Sequence, residues 1–215
     1  SPLSLLETLG IVIGSTIVFI TGGIDDTFGM KPIVKLIFQI LGAAIAIYFG
    51  VKIEFISNPF NGVFPLYHFV FPFTLLWIVG ITNAVNFIDG LDGLASGVSA
   101  IASITLFIVA LRMHQFDAAI VLIALMGATL GFLKFNFNPA SIFLGDSGSL
   151  FLGFVLASCS IIGVLKSTLV ISLLIPILIL GIPLFDISSA VIRRVRARRN
   201  PFEADKEHLH HGLLK

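Results

Sequence analysis

Long apolar runs interrupted by short polar connections constrain this chain more than any other feature of its sequence. A bilayer core about 30 Å thick needs about 20 mostly apolar residues per helix. Runs of that kind recur at Leu3 to Gly22, Ile33 to Val51, Tyr67 to Ala84, Leu94 to Leu111, Ala118 to Phe135, Ser149 to Leu165 and Thr168 to Ile192. Charged residues make up only 12% of the 215-residue chain, and 57% are hydrophobic. That balance argues against a water-soluble globule. The expected fold is all-α, a polytopic transmembrane helical bundle with about seven spans.

No repeat or linker divides the chain, so residues 1–215 read as a single transmembrane domain, with 193–215 a basic loop. The opening segment lacks the basic start of a cleavable signal peptide, so the first span is expected to act as an anchor. A net charge of +1 gives no general attraction to nucleic acid. The lone cysteine, Cys159, excludes an intrachain disulfide and reads as helix packing.

Polar chemistry is distributed unevenly among the connections. Segments following the first, third, fifth and seventh spans carry Asp25 and Asp26, Asn86 to Asp92, Asn136 to Asp146, and Arg193 to Lys215. Alternation of spans puts all of them on one side of the membrane. Lys31, Lys35, Lys134, Arg193, Arg194, Arg196, Arg198, Arg199, Lys206 and Lys215 share that side, which the positive-inside rule assigns to the cytoplasm.

Asp25 and Asp26 close the first span with no basic residue beside them, and adjacent carboxylates repel unless a cation or proton intervenes. They read as a metal-holding pair or as a solvated pair at a helix end. Asn86, Asp89 and Asp92 recur at intervals of three and would share one face of a continuing helix. Gly90 and Gly93 permit a turn or a close ligand approach, and Asp92 also suits a helix N-cap.

In the third segment Pro139 ends a helix, and Gly145, Asp146 and Ser147 open the next, whose free N–H groups suit phosphate oxygens. Asp146 suits a bridge to phosphate through Mg²⁺, which takes one or two carboxylates plus substrate oxygens, or it caps the helix. The last segment sets His208, His210 and His211 beside five arginines, with neither the cysteines nor the helical spacing of a zinc site. Such a set fits a nucleotide-sugar diphosphate. Asp186, inside the seventh run, suits a pairing with Arg193 or Arg194.

Together these segments resemble the polyprenyl-phosphate N-acetylhexosamine-1-phosphate transferases, the family that also holds the phospho-MurNAc-pentapeptide translocase. The resemblance rests on Asp25 and Asp26 with Lys35 to Gln39 downstream, on Asn83 to Gly93, on Asn136 to Asp146, and on His208 to His211. It implies catalytic roles for Asp25, Asp26, Asp89 and Asp146, and substrate contacts for Lys35, Asn86, Asp92, Asn136, His208, His210 and His211. Mg²⁺, or Mn²⁺ in its place, would be held by Asp146 and Asp26.

The spacing of the last histidines is similar to the branch that uses UDP-GlcNAc. The implied reaction moves GlcNAc-1-phosphate onto undecaprenyl phosphate in the cell membrane, releasing UMP, as a first step toward teichoic acid, O-antigen or related glycans. A homodimer is compatible with the resemblance. Family members carry more spans and an earlier basic motif, so the chain is expected to be a fragment lacking N-terminal and C-terminal spans. A transporter is the competing class, and it would place polar groups near the midplane rather than at one face.

Overall fold

The computed structural model describes residues 5–57 and 63–162. Within them the chain forms α1 (Leu5–Phe28), α2 (Pro32–Tyr48), β1 (Phe55–Ser57), β2 (Val63–Pro65), a 3₁₀ turn (Tyr67–Phe69), α3 (Val70–Ile88), α4 (Leu94–Arg112), α5 (Phe116–Asn136) and α6 (Gly145–Ser160). Of these, α1, the turn-plus-α3 unit, α4 and α5 are long and apolar enough to cross a membrane. The shorter α2, of 17 residues, rises about 26 Å. The chain is a membrane protein. The seventh expected span, Thr168 to Ile192, lies outside the described residues, as do Asp186 and the Arg193 to Lys215 segment.

Lipid offers no partner for a backbone or hydroxyl group, so the helices satisfy their own. Thr16, Thr21, Thr27, Thr82 and Thr129 each return a hydroxyl hydrogen bond to a carbonyl four residues back. Large apolar side chains face outward, among them Phe19, Ile20, Ile37, Leu76, Ile101 and Ile120. Packing inside the bundle therefore relies on close approach rather than on escape from water. A Cβ at Gly14 would lie 2.8 Å from the Gly42 carbonyl oxygen and 2.4 Å from the Phe154 ring, so α1, α2 and α6 meet at this glycine. Helix α6 is the central element, with every residue from Leu152 to Ser160 buried.

The expected boundaries move in one place that matters. Helix α1 continues six residues past Gly22, so Asp25 and Asp26 sit on its last turns rather than beyond it. Gly29, at φ +69°, turns the chain, and Pro32 at the first helical position opens α2 at once. The opposite end of the bundle adds an antiparallel hairpin, with Phe55 opposite Pro65, that the all-helical expectation did not contain.

Candidate active site

The ends of α1, α3 and α5 and the start of α6 meet at one end of the bundle. Lys35, one turn into α2, donates to the Asp25 carboxylate at 2.6 Å and also to Asp146. Asp25 takes a further hydrogen bond from the Met30 N–H. The Asp25–Asp26 pair thus has the cation that its immediate neighbours lack, supplied by the following helix. The second oxygen of Asp146 accepts from Asn86 Nδ2 at 2.8 Å, and the same amide reaches Ser149 Oγ at 2.8 Å.

Asp26 points the other way. Its carboxylate oxygens accept the Asp146 and Ser147 N–H groups at 2.8 and 3.0 Å. These are free donors of the first turn of α6, where negative charge is favoured. The donors expected to receive a phosphate are thus met by a side chain from α1. Glycine is required where the two elements touch, because a Cβ at Gly22 would fall 2.4 Å from Ser147 N.

The run from Asn86 to Asp92 does not continue as a helix. Helix α3 ends at Ile88 with Asp89 at its C-cap, and Gly93, at φ +74°, opens α4. The turn that Gly90 and Gly93 permit is the alternative realised, so the face a continuing helix would have given Asn86, Asp89 and Asp92 does not form: Asn86 stays on α3 while Asp92 lies in the turn. Nor does Asp92 cap α4. Its carboxylate accepts the Ala140 N–H at 2.9 Å and Asn138 Nδ2 at 3.3 Å, bracing the loop before α6.

Asn136 is buried, and both ends of its amide are engaged. Its carbonyl oxygen accepts from Gly93 N–H and Ser96 Oγ, and its amide donates to the Ile142 carbonyl. The two polar connections are thereby tied to each other.

A cleft of about 270 Å³ opens between these connections, lined by Asp26, Asn86, Asp89, Asp92, Asn136, Asp146 and the intervening backbone. No residue lining it is basic, and Asp25 and Lys35 reach the cleft through Asp146. Burial, then the charges of Asp146 and Asp26, push the Asp89 carboxyl up to about 7. The carboxylate oxygens lining the cleft fit a hard divalent cation such as Mg²⁺. Among the described residues no three His, Cys, Asp or Glu side chains form a ready cage, so such an ion would complete its shell from substrate and water. His208, His210 and His211 lie outside the described residues.

Sequence reasoning assigns no role to Ser96, Asn138 or Ser149, each of which holds one of the site's polar groups. Gln39 and Asn83 are a further pair of this kind: Asn83 Nδ2 donates to Gln39 Oε1 at 2.5 Å. Their signal is present as helical spacing, since Gln39 follows Lys35 by four residues and Asn83 precedes Asn86 by three.

Fold and site together define a polytopic membrane protein with an acid-lined cleft at one end of its bundle. Residues 8–164 match the glycosyl transferase family 4, and the chain belongs to that family. It is 42% identical over 205 residues to a probable undecaprenyl-phosphate N-acetylglucosaminyl 1-phosphate transferase of Bacillus subtilis, a match covering 95% of this chain and 57% of that protein. It is 35% identical to a decaprenyl-phosphate N-acetylglucosaminephosphotransferase of Mycobacterium leprae, with the same two coverages. A phospho-N-acetylmuramoyl-pentapeptide-transferase of Latilactobacillus sakei is 39% identical over 140 residues, 64% of this chain and 44% of that protein. The chain thus spans a little over half the length of the first two relatives.

Proposed function

We propose that the protein to which this chain belongs transfers GlcNAc-1-phosphate from UDP-GlcNAc to undecaprenyl phosphate, releasing UMP, as the first membrane step of a cell-envelope glycan. The observation that carries the reading is the convergence on Asp146: one carboxylate lining an acidic cleft, held by Lys35 and Asn86 from two other helices. Relatives named for N-acetylglucosaminyl phosphate transfer to polyprenyl phosphates support the choice of sugar and acceptor.

Two anionic substrates have to meet at a wall that is itself acidic, so charge neutralisation decides the chemistry. Mg²⁺ held by Asp146 and Asp26 would supply that neutralisation and polarise the donor diphosphate. The chain's own residues do the rest. Lys35 bridges Asp25 and Asp146 and offsets their mutual repulsion, and its ammonium would turn to a phosphate oxygen when substrate enters. Asn86 fixes the orientation of Asp146, and Asp92 and Asn136 hold the loops that shape the cleft. Asp25 orients the lipid phosphate. That phosphate has its second pKa near about 6 and is largely ionised at neutral pH, so direct attack needs no strong base. The histidines beyond the last run would bind the nucleotide-sugar. The Lys and Arg bias favours a cytoplasmic cleft, where the soluble donor is made.

The test is to incubate the full-length protein with undecaprenyl phosphate and a panel of UDP-sugars. Divalent-cation-dependent release of UMP with UDP-GlcNAc is the expected result. Release with none of the sugars, or vesicle uptake of a substrate without chemistry, overturns the reading.

A further inference from the structure

A pair of side-chain amides joins α2 to α3 away from the cleft. Gln39 on α2 is 2% exposed, and Asn83 meets it from α3. Asn83 Nδ2 donates to Gln39 Oε1 at 2.5 Å, and Gln39 Nε2 returns a bond to Asn83 Oδ1 at 3.3 Å. Asn83 Nδ2 also donates to the Val79 carbonyl at 2.8 Å, a group that can only accept. That third bond fixes which end of the Asn83 amide is nitrogen, and reciprocity then fixes Gln39.

The pair closes a ring. Lys35 lies one turn from Gln39 on α2, Asn86 lies one turn from Asn83 on α3, and Lys35 and Asn86 donate to the two oxygens of the same Asp146 carboxylate. For both donors to reach one carboxylate, α2 and α3 must hold a single axial and rotational register. Apolar side chains in lipid set register weakly, because sliding them exposes nothing to water, whereas breaking the amide pair leaves Gln39 Oε1, Gln39 Nε2 and Asn83 Oδ1 without their partners.

We infer that the Gln39–Asn83 amide clasp is a positioning device that registers α2 against α3, so that Lys35 and Asn86 grip Asp146 together. Neither residue touches the cleft, and both act through the donors one turn away. The inference rests on the proposed transfer reaction for its activity readout, but not for its structural one.

The test uses the full-length protein with undecaprenyl phosphate and UDP-GlcNAc as probes. Gln39→Ala and Asn83→Ala should each lower kcat by about ten- to a hundredfold. Combining them should cost little more than either alone, since each already breaks the same pair. Exchanging the two amides (Gln39→Asn with Asn83→Gln) preserves the combined side-chain length and should recover most of the lost turnover, while a residue that only fills space would not be rescued this way.

Nitroxide labels at exposed Ile37 and Leu76 give a readout independent of substrate. The distance should shift or broaden in Gln39→Ala and return in the exchanged double variant; buried Cys159 stays unlabelled. Additive losses, an exchanged variant as inactive as Asn83→Ala, or an unchanged label distance in Gln39→Ala would each overturn the clasp. If the parent releases no UMP, the transferase reading fails and the label distances still decide the clasp.

Discussion

The two ends of the bundle carry different kinds of charge. At the opposite end a cavity of about 630 Å³, more than twice the volume of the cleft, is lined by Leu6, Glu7, Tyr48, Phe49, Gly50, Lys52 and Glu54. Its ion pair, Lys52 with Glu54, spans 3.6 Å between residues two apart in sequence, with side chains 43% and 57% exposed. At the cleft end, partners come from helices far apart in sequence, and each carboxylate oxygen of Asp146 has a designated donor. Volume therefore does not mark the site. Convergence of polar groups from several elements does, because each such contact has to overcome desolvation and chain ordering.

The contrast breaks most sharply at Asp146. Asp146→Asn should reduce turnover by about a thousandfold or more, since it removes the charge best placed to hold a cation at the phosphoryl centre. Lys35 keeps Asp25 as a partner, so expression and thermal midpoint should change little. Near-normal turnover with unchanged Mg²⁺ dependence would remove the distinction between the two ends.

An intermediate effect is expected at Asp89, and it depends on pH. Its carboxyl sits at about 7 against an ordinary 3.8, so between those values the folded chain holds a proton that the unfolded chain has released. Stability from this group is therefore present at low pH and declines as pH rises toward 7. Asp89→Asn, which keeps the neutral form, should melt close to the parent near pH 4 and progressively above it up to about pH 7, with a constant gap beyond. Thermal midpoints across that range measure the effect, and parallel curves would show that Asp89 is not held protonated.

The smallest effect belongs to the far end. Lys52→Ala should shift stability by no more than about 0.5 kcal/mol and leave turnover unchanged, as expected for an exposed pair. A tenfold loss of activity would mean that this end takes part in the chemistry and that the comparison is drawn wrongly.

Much of this division is legible in the order of residues alone. Apolar runs locate all six described helices to within a turn or two, because lipid tolerates few ways to arrange a backbone. The alternation of connections brings Asp26, Asn86, Asp92 and Asp146 to one end. Pairing is not legible. Asp25 lacks a cation only along the chain, and the partner ten residues on is revealed once Gly29 and Pro32 fold α2 back beside α1. The turn that Gly90 and Gly93 permit is legible, but the end of α3 is not: the helix runs four residues past Ala84 to Ile88, which keeps Asn86 helical, before the left-handed Gly93 opens α4. Asp26 as the partner of another helix's first turn depends on Gly22 clearing space for Ser147, a tertiary fact with no local signature.

The Lys35 bridge also bears on how the bundle is assembled. Asp25 and Lys35 are ten residues apart on one helical hairpin, so they neutralise each other as soon as α1 and α2 lie side by side. Asp146 arrives 111 residues after Lys35, on a helix whose first turn carries an acid with no base of its own. An unmatched carboxylate beside hydrocarbon is costly, and that cost is relieved when α6 inserts between α1 and α3 and meets Lys35 and Asn86. Completion of the site then waits on α6: without it the hairpin neutralises Asp25 but leaves Asp26 short of the Asp146 and Ser147 N–H groups, and the arrival of the central helix supplies both those donors and the charge arrangement on which the cleft depends.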